Sequence, residues 1–283
     1  MTTTEIMRAI YKEIDQLPPI PENIAHLRKL IKNPKSSISQ ISDLVREDVG
    51  FSANILKVAN SAWNKLRSPA ETIDRAITII GLQRLSSILL TMGAKKVLKD
   101  RFTTLKTLWK HSYACAFFAQ NLMKRQTKSK EKIESAYLAG LLHDIGKFVI
   151  LSLSPNLLDK IDQLSDAKGV SIISLEKEVL GLSHAEIGQK LALKWKFPAF
   201  LVTAIGLHHN PTQAPQVEED IPMIYTTYLA NVLCELKEPA TECIKVIEPK
   251  VLEYFRIVEE EDFNDLLVSL IDAYQISPEI QFV

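Results

Sequence analysis

Apolar residues recur every three or four positions along most of this chain, which is the spacing of one face of an α-helix. An early stretch of this kind contains Ile6, Ile10 and Ile14. A longer one contains Leu108, His111, Cys115, Phe118 and Leu122. Stretches in which apolar and polar residues alternate are absent, so the pattern predicts an all-α fold.

Prolines, glycines and capping residues mark where the predicted helices begin and end. The segment 17–21, Leu-Pro-Pro-Ile-Pro, stops the first helix because proline lacks a backbone donor and restrains the residue before it. Gly81 follows an apolar stretch as a C-terminal cap. Ser183 and Glu186 have the spacing of a capping box, which places His184 in the first turn of the next helix.

A polar segment over residues 95–106 suggests a division of the chain. It carries five cations, namely Lys95, Lys96, Lys99, Arg101 and Lys106. We interpret it as a solvated connector. The predicted division is an N-terminal helical half over residues 1–104 and a second helical half over residues 105–283, which includes a C-terminal extension.

The charge balance and the absence of targeting signals limit the function classes. The chain has 34 basic and 34 acidic residues, which argues against a protein built mainly to hold nucleic acid. Residues 37–60 contain two short helical patterns, but the second carries a single cation, Lys57, so plain packing is favoured over a DNA-recognition helix. No apolar run approaches the roughly 20 residues that span a bilayer, and the polar N-terminus lacks the core of a signal peptide. We expect a cytoplasmic protein without membrane association.

Residues 136–147, Ala-Tyr-Leu-Ala-Gly-Leu-Leu-His-Asp-Ile-Gly-Lys, form the most informative stretch. His143 and Asp144 lie about 100° apart around a helix, so both side chains can reach one point from adjoining faces. An imidazole nitrogen and a carboxylate oxygen that converge in this way suit a divalent metal. The alternative is a helix end at which His143 is hydrogen-bonded and Asp144 is solvated.

The distribution of histidines favours the metal interpretation. The chain has six histidines, and five of them occupy apolar-patterned positions in its second half: His111, His143, His184, His208 and His209. Each one alone is more often a hydrogen-bonded core residue than a ligand. Together with Asp144 they predict a cluster at helix faces and helix ends.

The run 141–147, Leu-Leu-His-Asp-Ile-Gly-Lys, resembles the signature of the HD superfamily of metal-dependent phosphohydrolases. The wider sequence resembles the HDOD (HD-related output domain) family of bacterial signalling proteins. Further segments carry that resemblance, namely 17–21, 79–85, 180–188, 195–198 and 208–211. The resemblance covers about residues 10–235. It implies an all-α bundle of the HD-domain type with an additional N-terminal helical subdomain.

The resemblance also implies a set of metal ligands. Positions that match ligands of related HD proteins are His111, His143, Asp144, His184, His208 and His209. The final aspartate of those proteins is matched here by Asn231, whose amide oxygen is a neutral and weaker ligand. This departure weakens the site that contains His111 and His143. We therefore expect at most one tightly bound divalent metal, such as iron, manganese, zinc or magnesium.

The function expected from the resemblance is regulatory. We predict a signal-transduction protein that acts by binding signalling proteins or a small phosphorylated ligand. The alternative is a metal-dependent phosphohydrolase that acts on a nucleotide or another phosphoester, in which Lys147 would stabilise the developing charge. Cyclic-di-GMP phosphodiesterase activity is not expected, because residues 210–215 contain neither the glycine nor the tyrosine that follows the paired histidines in the HD-GYP branch.

Overall fold

The chain folds into consecutive α-helices, and the computed structural model describes residues 2–60, 69–99, 106–213, 220–236 and 244–275. The helices are α1 (Thr3–Gln16), α2 (Glu22–Lys32), α3 (Ile38–Arg46), α4 (Val49–Ala59), α5 (Ile73–Ile80), α6 (Leu82–Lys99), α7 (Lys106–Gln126), α8 (Lys130–Leu142), α9 (Ile145–Leu153), α10 (Leu157–Lys168), α11 (Ile172–Leu180), α12 (His184–Lys194), α13 (Ala199–Leu207), α14 (Ile221–Glu235), α15 (Pro249–Phe255) and α16 (Glu260–Gln275). Two 3₁₀ turns cover Pro211–Gln213 and Ile244–Val246. These residues contain no β-strand, which confirms the predicted all-α fold.

The predicted helix ends are explained by local contacts. The Ser183 hydroxyl accepts a hydrogen bond from the Glu186 N–H at 3.2 Å, and the Glu186 carboxylate accepts from the Ser183 N–H at 2.8 Å. This reciprocal pair is the predicted capping box, and it fixes the start of α12. Gly81 ends α5 with a φ of 79°, a backbone conformation that glycine adopts without steric penalty.

The apolar faces form two main cores. The smaller one is built by α2 to α5 and the first part of α6, and its buried members include Ile24, Ile41, Ile55, Ile77 and Leu89. The larger one contains Ile10, Ile14 and Leu17 and then extends from Leu90 in the second part of α6 to Leu270 in α16. Residues 37–60 supply α3 and α4 to the smaller core, as the preference for plain packing predicted.

Helix α1 belongs to the larger core although it lies early in the chain. It packs against α9, α11 and α12. Lys194 Nζ donates to the backbone oxygens of Ile14 and Asp15, and Trp195 Nε1 donates to the Pro18 oxygen at 3.0 Å. The strap formed by residues 3–18 therefore connects the start of the described chain to its second half.

The predicted boundary is only partly described. The break between residues 104 and 105 lies outside the described residues and stays a prediction, as does the polar segment beyond residue 99. Up to Lys99 the expected connector is instead the end of α6. Lys95 is half-buried there, with its Nζ 4.5 Å from the ring centres of both Trp109 and Tyr113. The long apolar stem of lysine allows its charge to reach these rings.

Two glycines allow the helices around the histidines to approach each other closely. A Cβ atom added at Gly140 in α8 would lie 2.6 Å from the Cys115 oxygen in α7. One added at Gly146 in α9 would lie 1.9 Å from the His184 oxygen in α12. Both obstacles are backbone atoms, so only glycine fits at either position without moving a helix.

The stretch Lys130–Leu153 is long and apolar enough to resemble a membrane span by composition. However, 72% of its apolar window is buried inside the fold, as in the core helix of a soluble protein. One further candidate requires two helices to be counted together as a single span, namely Ile73–Ile80 and Leu82–Leu98. The chain bends by 105° at the break between these two helices.

Candidate metal centre

The His143–Asp144 pair lies at the break between α8 and α9. Helix α8 ends at Leu142, His143 keeps helical dihedral angles, and Asp144 is the N-cap of α9. The Asp144 side chain makes no capping hydrogen bond with the backbone, so its carboxylate is free to point inward. Both side chains are buried, with exposures of 0% and 1%.

The two carboxylate oxygens of Asp144 face different sets of histidines. Its Oδ2 atom lies 3.4 Å from His143 Nε2 and 3.6 Å from His111 Nε2. Its Oδ1 atom lies 3.2 Å from His184 Nε2 and 3.6 Å from His208 Nε2. Asp144 is therefore positioned to contribute one oxygen to each of two adjacent sites.

One of these sites, which we call the four-ligand group, consists of Asp144, His184, His208 and His209. His184 Nε2 lies 3.3 Å from His208 Nε2 and 3.0 Å from His209 Nε2. A tetrahedral metal bound at the usual 2.0–2.1 Å would hold two imidazole nitrogens roughly 3.3 Å apart. The spacing therefore suits a single ion.

The other site, which we call the Asn231 group, consists of His111, His143 and Asn231. The two histidine Nε2 atoms are 3.3 Å apart. Asn231 Oδ1 lies 3.0 Å from His111 Nε2 and 3.1 Å from His143 Nε2. The structure thus brings together all the residues predicted to form the site, and Asn231 lies where a final carboxylate ligand was expected.

Hydrogen bonds fix three of the imidazoles so that their Nε2 atoms point inward. His143 Nδ1 lies 2.7 Å from the Gly140 oxygen, and His208 Nδ1 lies 2.7 Å from the Ile205 oxygen. His184 Nδ1 lies 2.8 Å from a carboxylate oxygen of Glu176. Because these acceptors require an N–H at Nδ1, each ring in its neutral form presents an unprotonated Nε2 atom to the centre, as metal-ligating histidines do.

An unpartnered carboxylate oxygen supports the fit of these residues to a metal. Asp144 Oδ1 is buried and has no hydrogen-bond partner among the residues that the structure describes. His184 Nε2 lies 3.2 Å away, and in the neutral form of that ring the single proton is at Nδ1, where it donates to Glu176. A buried acceptor without a donor costs about 1–3 kcal/mol, and more when it is charged. A cation coordinated by Oδ1 would remove this penalty.

The protonation preferences of the cluster also suit a cation. Burial lowers the pKa of His143 to about 4 and also lowers the pKa of His208. These two rings are therefore neutral near pH 7, as metal ligands must be. Burial and the charge of Lys147 act to lower the pKa of His184, but Glu176 and Asp144 raise it, so a bound cation would compete with a proton at that ring. Burial acts to raise the pKa of Asp144, but His143 and Lys147 hold that pKa well below its usual range, so the carboxylate stays anionic.

Lys147 lies one helical turn after Asp144, and its Nζ donates to Asp144 Oδ2 at 2.7 Å. Burial would lower the pKa of Lys147, but Asp144 and the more distant Glu235 raise it. The predicted catalytic lysine is thus a charged group that orients Asp144 and partly neutralises it. It contacts the same Asp144 oxygen, Oδ2, that faces His111 and His143.

Two residues of the site were not predicted. Glu176 is fully buried, and it accepts hydrogen bonds from both the backbone N–H and the ring of His184. A carboxylate on the apolar face of α11, one position after Leu175, was the available signal. Cys115 Sγ lies 3.4 Å from His111 Nε2. It is one helical turn after His111 in the same apolar stripe, where it was interpreted as a core residue.

Comparisons with known proteins agree with this architecture. The HDOD domain family matches residues 17–211. An uncharacterised protein from Treponema pallidum (strain Nichols) is 30% identical over 273 residues, which cover 96% of this chain and 52% of that protein. The chain therefore spans about half the length of this relative.

Solved structures show the same fold. A candidate phosphohydrolase from Shewanella amazonensis SB2B aligns with a TM-score of 0.70 and 26% identity over 93% of both chains. An HDOD domain protein of unknown function from Geobacter sulfurreducens aligns with a TM-score of 0.73 and 22% identity, over 96% of this chain and 94% of that one. Since the family match includes more than half of the sequence, the chain belongs to the HDOD domain family.

Proposed function

We propose that this protein is a metal-binding signalling module that acts by binding a partner protein or a small phosphorylated ligand. The four-ligand group would hold one divalent metal tightly. Its three imidazoles and single carboxylate favour zinc or iron over magnesium, which prefers oxygen ligands. The buried, unpartnered Oδ1 atom of Asp144 is the observation that carries this proposal.

Several features favour binding over hydrolysis. Four protein ligands fill a tetrahedral ion, whereas catalytic zinc sites keep one position for water or substrate. The Asn231 group lacks the final carboxylate, so a second ion of the oxygen-preferring kind would be held weakly there. Lys147 is already paired with Asp144, so its charge is partly compensated before any substrate arrives.

Phosphohydrolase activity is the second candidate, and the position of Asp144 favours it. Its two oxygens face two sets of histidines, as expected of a carboxylate shared by two ions. A pair of ions would supply the Lewis acidity that phosphoryl transfer requires. In that case Asp144 would fix the two sites relative to each other, and Lys147 would stabilise charge on the phosphoryl oxygens.

Metal content tests the proposal directly. Protein purified without chelator from cells grown in metal-supplemented medium should contain at least one zinc or iron ion per chain, held by the four-ligand group. Asp144→Asn should lose this ion because it removes the anionic ligand. His26→Ala is the matched control, since His26 is an exposed histidine of α2 outside the cluster. Wild-type protein without bound metal, or equal metal content in Asp144→Asn, would contradict the proposal.

Activity and ligand binding separate the two candidate functions. The metal-loaded protein should hydrolyse p-nitrophenyl phosphate, nucleotides and cyclic-di-GMP weakly or not at all. A nucleotide that raises the melting temperature without being consumed would support ligand binding. Rapid turnover by protein that carries two metals, lost in Asp144→Asn but kept in His26→Ala, would establish the enzyme instead.

A further inference from the structure

A buried thiol lies beside the Asn231 group. Cys115 Sγ is 3.4 Å from His111 Nε2 and 3.9 Å from Asn231 Oδ1. The ligand atoms of His111, Cys115 and His143 all lie within 4.8 Å of one another. His111 and Cys115 are four residues apart in α7, so the helix itself places both side chains on one face.

The separations of His111 from His143 and from Cys115 match those of a tetrahedral site with mixed nitrogen and sulfur ligands. Usual zinc bond lengths of about 2.05 Å to nitrogen and 2.3 Å to sulfur predict separations of roughly 3.3 Å between two nitrogens and 3.6 Å between nitrogen and sulfur. The corresponding distances here are 3.3 Å between His111 and His143 and 3.4 Å between His111 and Cys115. Asp144 Oδ2, at 3.4 Å from His143 Nε2, is available as the fourth ligand.

A thiolate would also restore the charge that the amide of Asn231 does not provide. With Asn231 in place of a carboxylate, the described carboxylate that faces both His111 and His143 is the shared Asp144. Burial raises the pKa of the Cys115 thiol, so an incoming cation would have to displace its proton to solvent, and the resulting thiolate would supply a second negative charge. Because thiolate is a softer ligand than carboxylate, a site with Cys115 in place of the missing carboxylate would prefer zinc to manganese or magnesium.

We propose that His111, His143 and Cys115, together with Asp144 Oδ2, form a second metal site that takes a thiolate-binding ion such as zinc. The inference rests on the proposed metal-binding role of the cluster, because Asp144 is shared with the four-ligand group. It revises the expectation of at most one tightly bound metal, which considered only the loss of the carboxylate at Asn231.

Asn231 itself offers the main competing arrangement. The oxygen and nitrogen of an amide are assigned from the hydrogen-bond network, and a flipped Asn231 would turn its NH₂ group toward His111 and His143. The amide would then satisfy both Nε2 atoms without a second ion. In that arrangement Cys115 stays a protonated thiol.

Cobalt(II) titration distinguishes these outcomes, because a cobalt–thiolate bond produces near-ultraviolet charge-transfer absorption that imidazole and carboxylate ligands do not. Protein stripped of metal under reducing conditions should bind two cobalt ions per chain. The charge-transfer band should grow with one of the two equivalents. Zinc should displace the cobalt and abolish the band, with two zinc ions retained after gel filtration.

Variants assign the band to a residue. Cys115→Ser should bind one cobalt ion and lose the band. Cys234→Ser is the matched control, because Cys234 contacts the Cys115 thiol but does not belong to the three-residue group. It should keep both ions and the band. Adding Asn231→Asp to Cys115→Ser should restore the second equivalent without the band, which a merely misfolded variant would not do.

The possible results support or overturn the inference separately from the proposed function. Two ions with a band that requires Cys115 support it. One ion without a band overturns it, leaves the four-ligand group intact and favours the flipped amide. Two ions without a band overturn it as well, because the second site would then lack sulfur. No bound metal overturns both this inference and the proposed function.

Discussion

Replacing Glu176 with glutamine tests whether the contacts of the buried carboxylate hold His184 in place for a metal. Glu176 accepts from the His184 backbone N–H at 2.7 Å, and its two oxygens lie 2.9 and 2.8 Å from His184 Nδ1. Glutamine keeps the shape and one acceptor oxygen but removes the negative charge. His184 then loses its charge-assisted partner and part of its basicity as a ligand.

The expected magnitude follows from these contacts. Hydrogen bonds to charged groups contribute about 1.5–3 kcal/mol, and neutral ones about 0.5–1.5 kcal/mol. The substitution should therefore cost about 1–2 kcal/mol of metal-binding free energy, which corresponds to roughly tenfold weaker binding. This lies at the lower end of the 10–100-fold effects that follow the loss of such supporting groups.

The assay is competition between the folded protein and a chromogenic chelator for zinc at pH 7. Glu178→Gln provides the matched control, because Glu178 lies two residues later in α11 and its side chain is exposed. The Kd for the tighter ion should rise about tenfold in Glu176→Gln and stay within twofold of wild type in Glu178→Gln. Equal Kd values for the two variants would refute the reasoning, provided that circular dichroism shows both to be folded.

Three further predictions concern neighbouring features. Gly146→Ala should lower the free energy of unfolding, measured by urea titration, by about 1–3 kcal/mol and should reduce the metal content, because its Cβ would lie 1.9 Å from the His184 oxygen. Gly50→Ala is the control and should change both quantities little, because its Cβ would meet only a side-chain atom at 3.2 Å. Asn231→Asp should increase the bound manganese measured by mass spectrometry, since it adds an anionic oxygen, and unchanged content would contradict this. Burial lowers the pKa of Lys95 from 10.5 to about 8. Between about pH 8 and pH 10.5 the unfolded chain therefore binds more protons than the folded chain, so the free energy of unfolding should rise with pH across that range. Lys95→Met should abolish the rise, whereas no rise in the wild type would show that the contacts with Trp109 and Tyr113 keep the charge.

Helices and their ends could be predicted because the signals that specify them are local. The capping box of Ser183 and Glu186 and the cap at Gly81 depend on residues within one helical turn, and the structure confirms both. The histidines were found for a related reason, because each interrupts an apolar stripe or ends it. Their polar groups therefore needed partners in the interior.

Contacts between distant segments could not be read in the same way. Glu176 reaches His184 across a helix boundary, and a single buried carboxylate in α11 has no characteristic spacing relative to its partner. Cys115 looked like a small core residue, because its polar neighbours His143 and Asn231 reach it from α8 and α14, far along the chain. The position of α1 was equally hidden, since any amphipathic helix can cover any apolar surface of suitable shape.

The strap formed by residues 3–18 has a consequence for how the protein is made on the ribosome. Ile14 is held by Lys194, which lies 180 residues later in the chain. At translation rates of 5–20 residues per second, Lys194 is synthesised roughly 10–40 s after the strap. Ile10 and Ile14, both fully or almost fully buried in the finished fold, have no partner surface until α9 is made, and the contacts of α1 with α11 and α12 follow later. The nascent chain therefore exposes an apolar segment that chaperones could bind, and the larger core closes only after α12 has left the exit tunnel.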